Sequence, residues 1–263
     1  MPDKKVVLFL VDGMRPDGIM QTDTPAMDAF MQTGAYTFEA RTIMPSVTLP
    51  CHTSLFYSVP AGRHGITTNV WMPPVRPIPG LFDVLHQAGC TTASFYNWEQ
   101  LRDLSAPGSL DANFYLQNLH ADLGVGDLEL VDFALMWFDT HDFNFAFVYM
   151  GQTDEVGHRA GWMSQPYLDS IMFADQCLAK LVDNLPDDVH YFVAADHGGH
   201  DQTHGTDADE DMLIPLLIKA PDMRAGKELP ANISIMDIAP TILDIFGIQP
   251  PSQWVGKRIE FDR

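Results

Sequence analysis

Short apolar runs recur along the chain, and each is bounded by polar residues, glycine or proline. Six of them have the length and the β-branched or aromatic content of strands that are buried on both faces. They are Val6–Val11, Ala35–Ile43, Thr91–Tyr96, Phe143–Met150, Val189–Ala195 and Met212–Ile218. Strict alternation of apolar and polar residues is lacking, which favours strands that helices cover on both sides.

Segments with helical spacing separate these strands. The pattern predicts helices from Pro25 to Gly34, from near Pro50, from Leu81 to Gly89, over Asp127–His141, from Ser164 to Leu185 and over Ser234–Phe246. The sequence between Asn97 and Asn118 fits neither pattern clearly. Alternating strands and helices are typical of an α/β protein with a parallel sheet between two helical layers. A chain of 263 residues is compatible with one domain over residues 1–263.

Three of the apolar runs lead into an acidic residue and a glycine. Val6–Val11 is followed by Asp12, Phe143–Met150 leads to Asp154, and the run that ends at Ala195 leads directly into Asp196. Ligands of open α/β sheets lie outside the carboxyl ends of the strands. We therefore expect these three carboxylates to converge at one edge of the sheet.

The segment from Ala194 to Thr206, AADHGGHDQTHGT, places three histidines and two aspartates in a glycine-rich turn. Histidine nitrogen and aspartate oxygen are the usual ligands of Zn²⁺ in sites without thiolates. A solvated polar turn is the alternative. The two other strand ends with the same build favour the metal-binding interpretation.

Spacing divides the candidate ligands into two sets. Asp154 and His158 are four residues apart, so that on a helix both side chains face the same way. The predicted sets are Asp154, His158 and His204 for one ion and Asp12, Asp196 and His197 for the other. Two neighbouring divalent ions stabilise both the attacking and the leaving oxygen of a phosphoryl displacement.

Thr48 is the candidate nucleophile. It lies between two prolines where a helix is expected to start, and a helix N-terminus favours negative charge. We expect its hydroxyl to lie beside the second ion as both ligand and nucleophile. The uncharged amide of Asn69 is expected to bind a phosphoryl oxygen. A threonine that only caps the helix is the alternative for Thr48.

The composition of the chain disfavours some classes of binding partner. The formal charge is −20, from 35 acidic and 15 basic residues, which disfavours a nucleic acid duplex. Three cysteines without close spacing argue against a disulfide framework or a thiolate zinc site. No apolar segment approaches the length of a membrane helix, and no signal peptide is recognisable, so we expect a cytoplasmic protein with no membrane partner. A homo-oligomer stays an open alternative.

The motifs together resemble the alkaline phosphatase superfamily, in its nucleotide pyrophosphatase/phosphodiesterase (type I phosphodiesterase) branch. The similar segments are LFLVDGMRPD, MPSVTLPCHTSL, RHGITTN, VYMGQTDEVGH, AADHGGHDQTHG and SIMDIAPTILDIFGI, in the order of the family along nearly the whole chain. The resemblance implies an alkaline-phosphatase-like three-layer α/β/α sandwich with a mostly parallel central sheet. It also implies the two ligand sets given above, with Thr48 beside the second ion. Both ions are usually zinc in this family, and manganese is the alternative.

The implied function is a two-metal phosphohydrolase that cleaves phosphodiester or pyrophosphate-type bonds of a small phosphorylated substrate through a phosphothreonine. A phosphonate hydrolase, a phosphomonoesterase and a catalytically silent binding protein on this scaffold are the alternatives. The sulfatase signature is missing, since the segment after Thr48 has no arginine at the required position. The nucleotide-binding insertions of the branch are not recognisable either, which disfavours a nucleotide substrate.

A few other side chains have weaker expectations. A monoester carries one more negative charge than a diester and needs an additional cation, for which Arg15, Arg63 and Arg159 are candidates. His52 is expected to support the nucleophile helix, and His190 is interpreted as solvated. Two further residues, Tyr149 and Trp162, are interpreted as core aromatics, with a leaving-group pocket as the alternative.

Overall fold

The computed structural model describes residues 4–261, and eight strands within this range form one sheet. The strands are β1 (Lys5–Val11), β2 (Ala35–Arg41), β3 (Thr92–Tyr96), β4 (Ala112–Tyr115), β5 (Phe145–Met150), β6 (Val189–Ala194), β7 (Leu213–Lys219) and β8 (Lys227–Glu228). Their order is β4-β3-β5-β1-β6-β7-β2-β8. Strand β7 is antiparallel to both neighbours, and the other paired strands are parallel. The expectation of a mostly parallel sheet is confirmed.

The central strands of the sheet are buried on both faces. Strand β1 lies between β5 and β6, and Leu8 is paired with Phe147 on one side and with Phe192 on the other. All three side chains are fully buried. Because water reaches neither face, these strands are continuous apolar runs rather than alternating ones. The three strands that end in predicted ligands are therefore immediate neighbours.

Ten α-helices are described. They are α1 (Pro16–Met20), α2 (Pro25–Thr33), α3 (Thr48–Tyr57), α4 (Ala61–His64), α5 (Leu81–Gln87), α6 (Val125–Phe138), α7 (Gln152–Ala160), α8 (Gln165–Asn184), α9 (Asp209–Met212) and α10 (Ile238–Ile245). Helices α1, α2, α6 and α7 contact α8, whereas α4, α5 and α10 contact α3. These two groups form the outer layers around the sheet, as expected for the three-layer sandwich.

Helix α3 starts at Thr48, two residues before the predicted start near Pro50. Pro50 then lies in the first turn, where its missing N–H would have had no partner in the helix. The unclear stretch between Asn97 and Asn118 contains a short 3₁₀ helix at Glu99–Leu104 and strand β4. Within residues 4–261, no helix is both long and apolar enough to cross a membrane.

Candidate metal and phosphoryl-transfer site

The carboxyl ends of β1, β5 and β6 bring three aspartates together. Asp12 follows β1, Asp196 follows β6 after one residue, and Asp154 lies in the first turn of α7 directly after β5. The backbone N–H of Asp12 donates to Met150 O at 2.9 Å. The N–H of Gly13 donates to Asp196 Oδ1 at 3.2 Å. The expected convergence of the three strand ends is present.

The structure also brings together Asp154, His158 and His204. His158 Nε2 lies 3.5 Å from Asp154 Oδ2, and His204 Nε2 lies 3.7 Å from Asp154 Oδ1. One ligand atom from each of the three residues falls within 4.8 Å of the other two. Two of these side chains come from successive turns of α7, and His204 comes from the loop after β6.

The second set is buried more deeply. His197 Nε2 lies 3.3 Å from Asp12 Oδ1 and 3.3 Å from Asp196 Oδ2. One ligand atom each of Asp12, Asp154 and His197 also lie within 4.8 Å of one another. Asp154 therefore borders both sets, while Asp196 approaches the second set through its Oδ2 atom.

Backbone carbonyls fix the orientation of the three candidate histidine ligands. His158 Nδ1 lies 3.0 Å from Gln202 O, His197 Nδ1 lies 2.8 Å from Gly198 O, and His204 Nδ1 lies 2.8 Å from Ser46 O. A carbonyl oxygen only accepts, so each Nδ1 carries the proton and each Nε2 presents a lone pair. Metal-ligating histidines are held in this way by outer hydrogen bonds.

The electrostatics of the cluster fit a bound cation. Burial and the carboxylates of Asp196 and Asp154 raise the pKa of Asp12 well above its ordinary value. Burial also raises the pKa of Asp154 to about 6 and lowers the pKa of both His197 and His204 to about 4. Neutral imidazoles therefore face carboxylates that lack a counter-charge.

Unpartnered oxygens support the same conclusion. Asp12 Oδ1, Asp154 Oδ1 and Asp196 Oδ2 are buried and have no hydrogen-bond partner. Buried polar atoms are rarely left in this state, because each one costs free energy of desolvation. An arrangement of lone pairs that face one another fits one or two divalent cations.

Thr48 is the first residue of α3 and is only 4% exposed. Its Oγ1 lies 3.2 Å from His197 Nε2, and since that nitrogen carries a lone pair, the hydroxyl donates to it. Asn69 Oδ1 accepts from the backbone N–H of Leu49 at 3.0 Å. This contact occupies the amide oxygen, and Asn69 and Thr48 line the same cavity.

The predictions for His52 and His190 have different outcomes. His52 is fully buried, and its Nδ1 lies 2.8 Å from Thr48 O and 3.4 Å from Asp196 Oδ2. His52 lies within α3 itself and contacts the backbone of its first residue, as expected for a residue that supports this helix. The prediction that His190 is solvated is wrong. It is 5% exposed, because β6 places it next to β1, where its Nδ1 approaches Lys5 O at 3.3 Å.

The hydrogen bond from Tyr149 to Asp12 was not predicted from the sequence. Tyr149 is 2% exposed, its hydroxyl donates to Asp12 Oδ2, and it also lines the cavity. Trp162 is buried as expected and donates to Gly13 O at 2.9 Å, with its ring edge against His158. The signal for Tyr149 is its position one residue before the end of an otherwise apolar strand.

The cavity at this edge has a volume of about 750 Å³. Its lining includes Thr48, Asn69 and the first ligand set, together with Trp98, Tyr115 and residues 117–121. None of the lysines or arginines among residues 4–261 lines it. The carboxylates that line it include Glu99 and Glu155 in addition to the proposed ligands.

This sheet, with its strand-end carboxylates and its threonine at a helix start, defines a protein of the alkaline phosphatase superfamily. Residues 6–233 match the family described as type I phosphodiesterase / nucleotide pyrophosphatase, so the chain belongs to that family. The resemblance recognised in the sequence is confirmed.

Solved structures share the fold at low sequence identity. A murine ectonucleotide pyrophosphatase / phosphodiesterase 5, solved as an inactive variant in complex with AMP, has a TM-score of 0.80 and 16% identity, with 98% of each chain covered. A phosphonate monoester hydrolase of Agrobacterium radiobacter has a TM-score of 0.76 and 17% identity, over 97% of this chain and 73% of the hydrolase. At these identities the comparison shows the fold alone.

A more limited match is to a 2,3-bisphosphoglycerate-independent phosphoglycerate mutase of Staphylococcus epidermidis. The two sequences are 30% identical over 138 residues, which is 50% of this chain and 26% of the mutase. The chain thus matches only about a quarter of that relative.

Proposed function

We propose that this protein is a two-metal phosphohydrolase that cleaves phosphodiester or pyrophosphate-type bonds through a phosphothreonine at Thr48. The observation that carries the proposal is the position of the Thr48 hydroxyl. It lies at the start of α3 and 3.2 Å from His197 Nε2, and it opens into the cavity that the first ligand set also lines. Family membership supports the same class of reaction.

Two sets of residues would hold the ions. They are Asp154, His158 and His204 for the first ion and Asp12, Asp196, His197 and Thr48 for the second. Zinc fits the imidazole and carboxylate donors best, with manganese as the alternative. When bound, such ions stabilise the charge on the attacking and leaving oxygens and favour the deprotonated hydroxyl.

The chain's own residues supply the remaining steps. Thr48 Oγ1 gives up its proton to solvent and attacks phosphorus, the bond from phosphorus to the leaving oxygen breaks, and solvent protonates the leaving group. A water molecule then attacks the phosphothreonine, which releases the phosphoryl product and restores the hydroxyl. The free NH₂ group of Asn69 donates to a phosphoryl oxygen, since its Oδ1 is held by Leu49 N.

The charge of the cavity favours a singly charged phosphoryl group. Of the three arginines considered for a monoester, Arg15 is paired with Asp17 and Gly199 O, and Arg63 and Arg159 are exposed on their helices. None of the three lines the cavity. A doubly charged monoester would therefore face Glu99 and Glu155 without a compensating side chain, so a diester is the better substrate.

A phosphonate monoester is the second candidate. It carries one negative charge, as a phosphodiester does, and the same cavity, which no lysine or arginine among residues 4–261 lines, would accept it. The phosphonate monoester hydrolase fold is compatible with this alternative. A small phosphorylated molecule is the proposed partner in either case.

The proposal is tested with bis(p-nitrophenyl) phosphate and p-nitrophenyl phosphate in zinc-supplemented buffer. We expect kcat/KM to be higher for the diester. Thr48→Ala should abolish turnover and keep zinc binding nearly intact. Thr53→Ala is the matched control, because Thr53 lies on the same helix and donates to Leu49 O at 2.7 Å. Turnover that survives in Thr48→Ala would rule out the covalent mechanism.

A further inference from the structure

A buried polar network lies behind one wall of the cavity, outside the two ligand sets. We define the outer wall as residues 117–121, a continuous segment that lines the same cavity as Thr48. The chain then runs from this wall through residues 122–124 into α6. Two side chains, Asp127 on α6 and Gln152 at the start of α7, connect this region with the helix that carries Asp154 and His158.

Asp127 caps helix α7 from another helix. It is 4% exposed, and its carboxylate accepts from the N–H groups of Gly151 at 3.2 Å and of Gln152 at 3.3 Å. These N–H groups lie at the N-terminus of α7, where the helix itself offers no acceptor. The amide NH₂ of Asn97 donates to the same carboxylate at 2.8 Å. Three donors therefore hold this buried charge.

Gln152 uses both ends of its amide to hold the chain next to the outer wall. Its Nε2 lies 3.1 Å from Ala121 O and 3.2 Å from Asp122 O, and both carbonyls accept from it. Its Oε1 accepts from Gly124 N at 3.0 Å and more weakly from Asp127 N at 3.4 Å. The side chain is 4% exposed, so water offers little replacement for these contacts.

Two glycines lie so close to neighbouring groups that a Cβ would overlap with them. A Cβ on Gly151 would lie 2.6 Å from Leu119 Cδ1 and 2.7 Å from Asn97 Oδ1. A Cβ on Gly126 would lie 2.3 Å from Asn118 O. The outer wall therefore packs against the start of α7 through Leu119 and against the start of α6 through Asn118.

We propose that Asp127 and Gln152 are positioning residues that lock the outer wall onto the first turn of α7. They thereby fix the spacing between the organic part of a bound substrate and the ligand pair Asp154 and His158. The part of this inference that concerns the substrate rests on the proposed hydrolytic activity, whereas the part that concerns metal binding rests only on the proposed metal sites. Asp154 lies two residues after Gln152, so a displaced helix start moves its carboxylate directly, and ligands tolerate only about 0.5 Å of displacement.

The claim that Asp127 and Gln152 position the metal ligands is tested by zinc affinity, without any measurement of activity. Asp127→Asn places an NH₂ group opposite N–H donors, so the start of α7 loses part of its cap. We expect one of the two zinc ions to bind about 10-fold more weakly in a competition titration against a chelating dye. Asp132→Asn is the matched control on the same helix, because Asp132 is exposed and pairs with Lys180. Wild-type affinity in Asp127→Asn would overturn this claim.

The part that concerns the substrate is tested with Gln152→Met, which keeps the volume of the side chain and removes its four hydrogen bonds. With bis(p-nitrophenyl) phosphate we expect KM to rise about 5-fold and kcat to change less than about 2-fold, as for a loss of uniform binding. The inhibition constant of inorganic phosphate should stay within about 2-fold, since phosphate has no organic group to contact the wall. Gln165→Met, at the exposed start of α8, is the control.

The outcomes separate the two proposals. An unchanged KM in Gln152→Met, or a phosphate inhibition constant that rises in parallel with KM, would overturn the part that concerns the substrate. Absence of hydrolysis in the wild type would refute the proposed function, and the zinc titration would still decide the claim about the metal ligands. If circular dichroism shows that Asp127→Asn does not fold, the zinc affinity of Gln152→Met decides it, with about 3-fold weakening or more expected and wild-type affinity contradicting it.

Discussion

The hydrogen bond from Tyr149 to Asp12 gives the most direct test of how the ligand cluster is held. Tyr149 lies on β5 and Asp12 follows β1, so the contact joins residues that are 137 positions apart. Both side chains are at least 98% buried. The hydroxyl occupies Asp12 Oδ2 and leaves Oδ1, which has no hydrogen-bond partner, facing His197 at 3.3 Å.

Tyr149→Phe would remove this donor without changing the shape of the ring. A hydrogen bond to a charged group contributes about 1.5–3 kcal/mol, and the carboxylate would have no water to replace it. The same free energy corresponds to a loss of affinity of about 10- to 150-fold, which agrees with the usual effect of removing an outer hydrogen bond from a metal ligand. We therefore expect one of two zinc ions to bind weakly in Tyr149→Phe.

The assay is a competition titration with a chelating dye, accompanied by thermal unfolding of the zinc-loaded protein. Tyr191→Phe is the control. Tyr191 lies on β6, is 5% exposed, and its hydroxyl is buried without a hydrogen-bond partner. Its removal should leave both zinc affinity and stability nearly unchanged. Wild-type zinc affinity in Tyr149→Phe, or equal losses in the two variants, would refute the reasoning.

Three further predictions concern stability. Removal of metal with a chelator at pH 8 should lower the Tm by several degrees, because the buried carboxylates then repel one another. Added Zn²⁺ should restore the Tm. An unchanged Tm would contradict the proposed metal site. Burial raises the pKa of Asp127 to about 6 from an ordinary 3.8, so its carboxyl binds a proton more tightly in the folded state. On acidification from pH 7 to pH 4, the wild type should therefore gain about 2 kcal/mol of unfolding free energy relative to Asp127→Asn in denaturant titrations; parallel pH profiles would contradict this. A Cβ on Gly199 would lie 2.3 Å from the Trp162 ring, so Gly199→Ala should lower the free energy of unfolding by about 1–3 kcal/mol. A Cβ on Gly62 would have no atom within 4 Å, so the control Gly62→Ala should change the free energy of unfolding by less than about 0.5 kcal/mol.

Much of the fold followed from local patterns. Buried strands need continuous apolar runs, and Val6–Val11 and Val189–Ala195 coincide closely with β1 and β6. The long helix predicted after Ser164 is α8, with Ser164 at its N-cap. The start of α2 at Pro25 was predicted correctly, whereas the start predicted near Pro50 was inaccurate, since α3 begins two residues earlier.

The sequence by itself determined the candidate ligands, because strand ends and a four-residue spacing are short-range properties of the backbone. Only the tertiary structure decided which side chains meet. The contact of Tyr149 with Asp12, the use of the Asn69 oxygen by Leu49 N, and the cap that Asp127 forms on α7 all depend on the order and register of the strands and on the packing of the segments between them. These distances join residues that are far apart in the chain, and no local period of apolar residues encodes them.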